Sequence, residues 1–154
     1  MSNKTVVIMM GIQASGKSSF CRKFIPDSYE RVSLDDLNTR KKETQLLKEC
    51  IASGLDVVID NTNPTKDDRQ RYIPILRESG YTIVGYFLQS KIKDCVRRNE
   101  NRAGKNRVPS KAIAATSNRL ELPDRSEGFD ELYFVKISDG TFEIEKWEDE
   151  YEIR

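Results

Sequence analysis

Thr5-Val6-Val7-Ile8-Met9-Met10-Gly11-Ile12-Gln13-Ala14-Ser15-Gly16-Lys17-Ser18 lies near the start of the chain and sets the architecture of the rest. Its first six residues are apolar or β-branched without alternation, which is the composition of a strand buried on both faces. Gly11 to Ser18 then fits G-x-x-x-x-G-K-S/T, and Lys17 to Phe24 comes next with Phe20, Cys21 and Phe24 on one helical face. In a strand–loop–helix setting the glycines let backbone N–H groups turn inward around phosphate oxygens, and the helix N-terminus adds a favourable dipole. Lys17 would reach the β- and γ-phosphates and the Ser18 hydroxyl would ligate Mg²⁺. The expectation is a bound nucleoside triphosphate, ATP, touched by Gly11, Gln13, Ala14, Ser15, Gly16, Lys17, Ser18 and Ser19. The bland alternative is a glycine-rich turn that happens to contain a lysine.

Outward from this loop, strand-like and helix-like segments alternate. Arg31 to Leu34 is a short candidate strand, and Thr39 to Ser53 carries Leu46, Leu47, Cys50 and Ile51 at helical spacing with Gly54 placed for a left-handed C-cap. Leu55 to Asp60 is another buried-strand run. Thr65 is placed to cap a helix through Ser79 that Pro74 should kink or shorten and Gly80 should stop. Tyr81 to Leu88 is a fourth strand, Ser90 is placed to cap a helix to about Glu100, and Ser110 to Leu120 predicts one more. Phe129 to Ile137, the Asp139-Gly140 turn and Thr141 to Trp147 predict a terminal β-hairpin. Repeated strand–helix–strand units imply an α/β fold, a parallel sheet with helices on both faces, taken as one domain over residues 1–154.

Composition removes several classes. The chain has 154 residues with 26 basic against 25 acidic, a net charge of +1, so neither an acidic disordered chain nor a global polycation is in view. The apolar run Val6 to Met10 is too short for a signal segment or a membrane span, which predicts no membrane association and a cytoplasmic setting. Cys21, Cys50 and Cys95 form no C-x-x-C pair and are expected as buried thiols. There is no histidine, so acid–base chemistry falls to carboxylates, lysine or tyrosine. Charge is nonetheless uneven. Lys91 to Lys111 holds eight basic residues against Asp94 and Glu100, a local +6, while Glu121 to Arg154 holds twelve acidic against four basic, a local −8.

Two carboxylate-bearing segments fall where α/β sheets place their ligands, at the carboxyl ends of strands. Asp35-Asp36 comes after the second strand; one of them either accepts the proton of an attacking hydroxyl or merely caps the next helix. Asp60-Asn61-Thr62-Asn63-Pro64 ends the third strand, with Asp60 where a carboxylate can hold Mg²⁺ and short polar residues beside it suited to an acceptor. The alternative there is an Asn-Pro turn that starts a helix.

The combination of GIQASGKSSF, LDD, VVIDNTNPTKDDRQRY, RRNENRAGKNRVP and EGFDEL resembles the kinase domain of the 5′-polynucleotide kinases, from about Val6 to Ile137. The resemblance implies a P-loop kinase fold with a basic lid over residues 98–109; the phosphatase half that accompanies such domains is not expected in this sequence, a departure from the family pattern. It implies transfer of the ATP γ-phosphate, with Mg²⁺, to the 5′-hydroxyl of a DNA or RNA end. Asp35 would be the general base, Lys17 and Arg102 would neutralise developing charge, and Arg98 would support Arg102 from one turn earlier on a shared helix. Ser18 and Asp60 would organise the metal, and Asp36, Thr62 and Asn63 would lie on the acceptor side. The chain departs from the family pattern at Leu34, where an arginine usually precedes the base, and at Asn38, where a bacteriophage member has a phosphate-holding arginine; Arg40 is nearby. Those departures keep two alternatives open: a nucleoside or other small-molecule kinase on the same fold, and an ATP-binding interaction module without transfer chemistry.

Overall fold

A computed structural model describes residues 4–148. Six strands, β1 (Thr5–Met10), β2 (Glu30–Val32), β3 (Val57–Ile59), β4 (Thr82–Leu88), β5 (Glu131–Ser138) and β6 (Thr141–Lys146), form one sheet in the order β2-β3-β1-β4-β5-β6. The first five are parallel, and β6 returns antiparallel against β5. The helices are α1 (Lys17–Phe24), α2 (Leu34–Leu37), α3 (Arg40–Ser53), α4 (Lys66–Arg69), α5 (Ile73–Glu78), α6 (Ile92–Glu100) and α7 (Ser110–Arg119).

β1 is central because it is apolar on both sides. Val6, Ile8 and Met10 face a core built with Leu47 of α3, Leu76 of α5, Cys95 of α6 and Ile113 of α7. Val7 and Met9 face the opposite core, with Phe20 and Cys21 of α1, Leu88 and Val135. Helices therefore cover both faces, as a parallel sheet requires. All three cysteines are buried free thiols. Asp139 and Gly140 both have positive φ, at 51° and 76°, the geometry that matches the twist of a two-residue hairpin.

Four expectations are corrected. The helix expected over Thr65–Ser79 is two helices, α4 and α5. Thr65 caps the first with a capping box to Asp68, and Pro74 sits in the first turn of the second, where its missing N–H breaks no helical bond. The strand expected to reach Leu34 stops at Val32, and Leu34 to Leu37 is the short helix α2. Ser90 does not cap α6, whose N-cap is Lys91; its buried hydroxyl donates to Leu88 O and accepts from Ile12 N, bracing β4 against the loop after β1. Arg102 does not share a helix with Arg98, since α6 closes at Glu100 and Asn101 is its C-cap. Part of the acidic C-terminal run, Asp149, Glu150 and Glu152, lies outside the described residues.

Arg69 is fully buried at the end of α4 and shows why the late EGFDEL segment matters. Its Nε and Nη2 donate to Glu127 Oε1 and Oε2 at 2.8 and 3.1 Å, and its Nη1 donates to the carbonyls of Asn63 and Glu121 at 3.0 and 3.2 Å. One guanidinium thus ties the loop after β3 to the segment before β5. Glu127→Ala would leave that cation buried and unpaired, which costs about 3–5 kcal/mol. Urea unfolding should show a loss of that order; a loss below about 1 kcal/mol would mean the pair is dispensable.

Candidate active site

The loop between β1 and α1 is shaped by its own backbone. Gly11 has φ 145°, and a Cβ there would meet Ser15 Oγ at 2.7 Å and the Leu88 carbonyl at 3.1 Å, so only glycine closes the turn without displacing its neighbours. Gly16, at φ 103°, occupies the N-cap of α1, and no side chain caps that helix. The first N–H groups of α1 therefore face the loop with the positive end of the helix dipole behind them. Lys17 is folded back: its Nζ donates to the carbonyls of Gly11 and Ile12, both at 2.9 Å. Burial lowers its pKa to about 8, against the opposing pull of the Asp60 carboxylate. Ser15 Oγ and Gln13 Oε1 are buried polar atoms without hydrogen-bond partners, as expected of a cradle shaped for a polar ligand.

The loop forms one wall of a cavity of about 1210 Å³ at the carboxyl ends of the strands. Gln13, Ala14, Gly16, Lys17, Ser18 and Ser19 line it from the β1–α1 side. Asp35 and Asp36 enter from α2, and Asp60, Thr62 and Asn63 from the end of β3. Arg102 closes it from the segment after α6, together with Ala103, Asn106 and Val108. Gly11 and Ser15 lie behind this wall. Arg98 also stands behind it, where its Nη1 donates to the Ala14 carbonyl at 3.0 Å and braces the loop. Arg102 Nη1 donates to the Asn106 carbonyl at 3.2 Å, curling the segment over the cavity.

Ser18 Oγ lies 3.4 Å from Asp60 Oδ2, two hard oxygens facing one space. That pair fits Mg²⁺, which takes few protein oxygens and fills its shell with water and substrate phosphate. Among the described residues no cluster of three or more acidic or cysteine side chains offers a fuller metal cage. Asp60 is buried and also accepts from Arg31, whose Nη2 stands 2.8 Å from Oδ2. The same guanidinium pairs with Asp36, so it bridges a carboxylate of α2 and the one that follows β3. Burial works against the charge of Arg31, but Asp60 and Asp36 more than offset it and its pKa is raised. Asn63 is 3% exposed with φ 44°, and its amide donates to the Met9 carbonyl at 2.7 Å, fixing the loop rather than reaching outward.

Asn61 and Glu43 are the functional candidates that the sequence alone does not single out. Asn61 lines the cavity, and its amide joins α2 to Glu43, which is 2% exposed on α3. Tyr72 and Arg40 complete this group: Tyr72 Oη donates to Glu43 Oε1 at 3.0 Å, and Arg40 Nη1 stands 2.9 Å from both. Burial and the neighbouring carboxylate push the Tyr72 hydroxyl up to about 12, so it remains a donor.

Comparison with known proteins bears on the fold and the family. A sugar kinase from Janibacter sp. HTCC2649 superposes with a TM-score of 0.63 over 86% of this chain and 85% of its own, at 16% identity, which is a likeness of fold. A chain of the Pnkp1/Rnl/Hen1 RNA repair complex superposes with a TM-score of 0.62 at 26% identity, over 78% of this chain and 45% of that one. The bifunctional polynucleotide phosphatase/kinase of Schizosaccharomyces pombe is 31% identical over 131 residues, 82% of this chain and 32% of that protein. The chain thus spans about a third of that relative's length. No helix among the described residues is long and apolar enough to cross a membrane. Residues 6–123 match the AAA domain family, and the phosphate loop, strands β2 to β4 and the carboxylates at the carboxyl edge of the sheet all fall within that span: the chain belongs to this family of P-loop proteins.

Proposed function

We propose that the protein transfers the γ-phosphate of ATP, in the presence of Mg²⁺, to the 5′-hydroxyl of a polynucleotide end. The observation that carries this reading is the meeting of Lys17, Ser18, Asp35, Asp60 and Arg102 on a single cavity. Lys17 and the N-terminus of α1 hold the triphosphate, and Ser18 with Asp60 would hold Mg²⁺, which neutralises phosphate charge when bound. Asp35 accepts the proton of the attacking hydroxyl, and Arg102 stabilises charge on the transferring group. Thr62 and Asp36 lie on the side from which an acceptor would approach. Similarity to a polynucleotide phosphatase/kinase and to a chain of an RNA repair complex supports a polynucleotide as the acceptor.

Leu34 and Asn38 favour a second reading, a smaller hydroxyl acceptor, because neither side chain can pair with a strand phosphate as arginine does. One experiment separates the two: transfer of γ-labelled phosphate to 5′-hydroxyl DNA and RNA oligonucleotides, 3′-nucleotides and free nucleosides, with Lys17→Ala as the blank. Label on oligonucleotide 5′ ends is the expected result. Label on nucleosides alone would replace the polynucleotide with a small acceptor, and binding of ATP without transfer to any acceptor would remove the kinase assignment.

A further inference from the structure

α2 is a helix of four residues, and it alone carries Asp35 into the cavity. Its one turn is closed by the Leu37 N–H on the Ser33 carbonyl at 3.0 Å and the Asn38 N–H on the Leu34 carbonyl at 2.7 Å, and Asp36 near its end pairs with Arg31. Its N-cap, Ser33, makes no side-chain capping bond, and the Ser33 hydroxyl is buried without a partner. A single turn without a cap is too short to persist by itself. The bond that anchors its start comes from the loop after β3: the Leu34 N–H donates to Asn61 Oδ1 at 2.8 Å.

The orientation of that amide is determined by its partners. A backbone N–H can only donate, so the atom facing Leu34 is the oxygen. The nitrogen then faces Glu43 Oε2 at 2.7 Å and Tyr72 Oη at 3.2 Å. Glu43 in turn is held at its other oxygen by Tyr72 and Arg40. The chain of contacts runs from a buried carboxylate on α3, through Asn61 at the end of β3, to the first N–H of α2, one residue before Asp35. Both ends of Asn61 are used, so the amide has one setting, and that setting fixes where α2 begins.

We infer that Asn61 is a positioning residue for Asp35, with Glu43 as the anchor that sets the Asn61 amide. The inference rests on the proposed kinase activity and assigns Asn61 no contact with the reacting atoms. An error in the placing of the base of the order of 1 Å costs about 10²-fold in turnover. Asn61→Asp keeps the size of the side chain and its acceptor toward Leu34, but sets a carboxylate against Glu43.

The test uses Asn61→Asp, Glu43→Gln and the two together, since the double variant restores one donor and one acceptor between the positions with no change in net charge. Expected are a fall in kcat of about 20-fold or more for Asn61→Asp, a KM for ATP within about 2-fold, and recovery of about 5-fold or more in the double variant. A merely structural role would lower ATP affinity together with kcat. That pattern, or a double variant no better than Asn61→Asp, would overturn the inference. Native-state hydrogen exchange of the Leu34 to Leu37 amides in Asn61→Ala supplies a readout independent of catalysis. Faster exchange confined to this segment is expected, and unchanged exchange would overturn the inference. If the wild-type protein transfers phosphate to no acceptor while these amides do respond, the kinase reading fails and the anchoring of α2 stands.

Discussion

Lys17→Met is expected to lower phosphoryl transfer by about 10²–10³-fold, because neither Arg98 nor Arg102 stands in the position that Lys17 holds beneath the loop. Arg98 is committed to the Ala14 carbonyl, and Arg102 approaches from the opposite wall. Steady-state transfer with a saturating acceptor checks this, and activity within about 10-fold of wild type would remove Lys17 from the machinery. A second consequence concerns protons. Burial strips water from the Lys17 ammonium, so its pKa falls to about 8 in the folded chain from an ordinary value of 10.5. Between those values the unfolded chain binds more protons than the folded one, so this group's contribution to stability rises with pH across that window and is least favourable below it. A bound triphosphate would pull the proton back. Calorimetry at pH 8.5 in buffers of different ionisation enthalpy should therefore show proton uptake on ATP binding in the wild type and less in Lys17→Met. Equal uptake in both would mean that another group takes the proton.

Asp35→Asn should lower kcat by about 10²-fold or more while leaving ATP affinity close to that of the wild type. The amide preserves the size of the side chain and its place in the first turn of α2 but cannot accept the proton of an attacking hydroxyl. Asp36→Asn is the internal control. Asp36 is exposed and pairs with Arg31, so its loss should cost far less. The contrast between adjacent positions decides the assignment: equal losses would point to damage to α2 as a whole, and a greater loss at Asp36 would move the base by one residue.

The P-loop was legible because all of its parts are contiguous. A run of apolar residues, two glycines, Lys17 and an amphipathic helix lie within twenty residues, and each leaves its own compositional trace. The sheet was legible through the same property of β1, whose two faces meet two different cores. The site's supporting groups were not legible, for the opposite reason. Glu43 lies in a helix beginning RKKETQ, where one more charge suggests a solvated face, and only Tyr72 and Asn61, 29 and 18 residues away, show that it is buried. Arg69 belongs to a strongly charged stretch, and its partner Glu127 is 58 residues away. Ser90 stood in a favourable place to cap a helix and instead holds Ile12, a contact across 78 residues. Local pattern carries local structure; hydrogen bonds between distant polar side chains leave no period in the chain.

The position of β1 in the sheet has a consequence for how the protein is made. Its partners are β3 and β4, with Val6 beside Val57 and Thr5 beside Thr82. During synthesis the TVVIMM segment gains its second neighbour only once residue 88 has left the ribosome. At about 5–20 residues per second, that interval is about 4–16 s. Throughout it, six apolar or β-branched residues without a charge among them stand with at least one edge unpaired, the composition that seeds intermolecular strand pairing. A nascent chain paused between β3 and β4 would be a substrate for holding chaperones. Slow codons in that interval would prolong the exposure of β1, whereas slow codons beyond β4 would find both of its edges already covered.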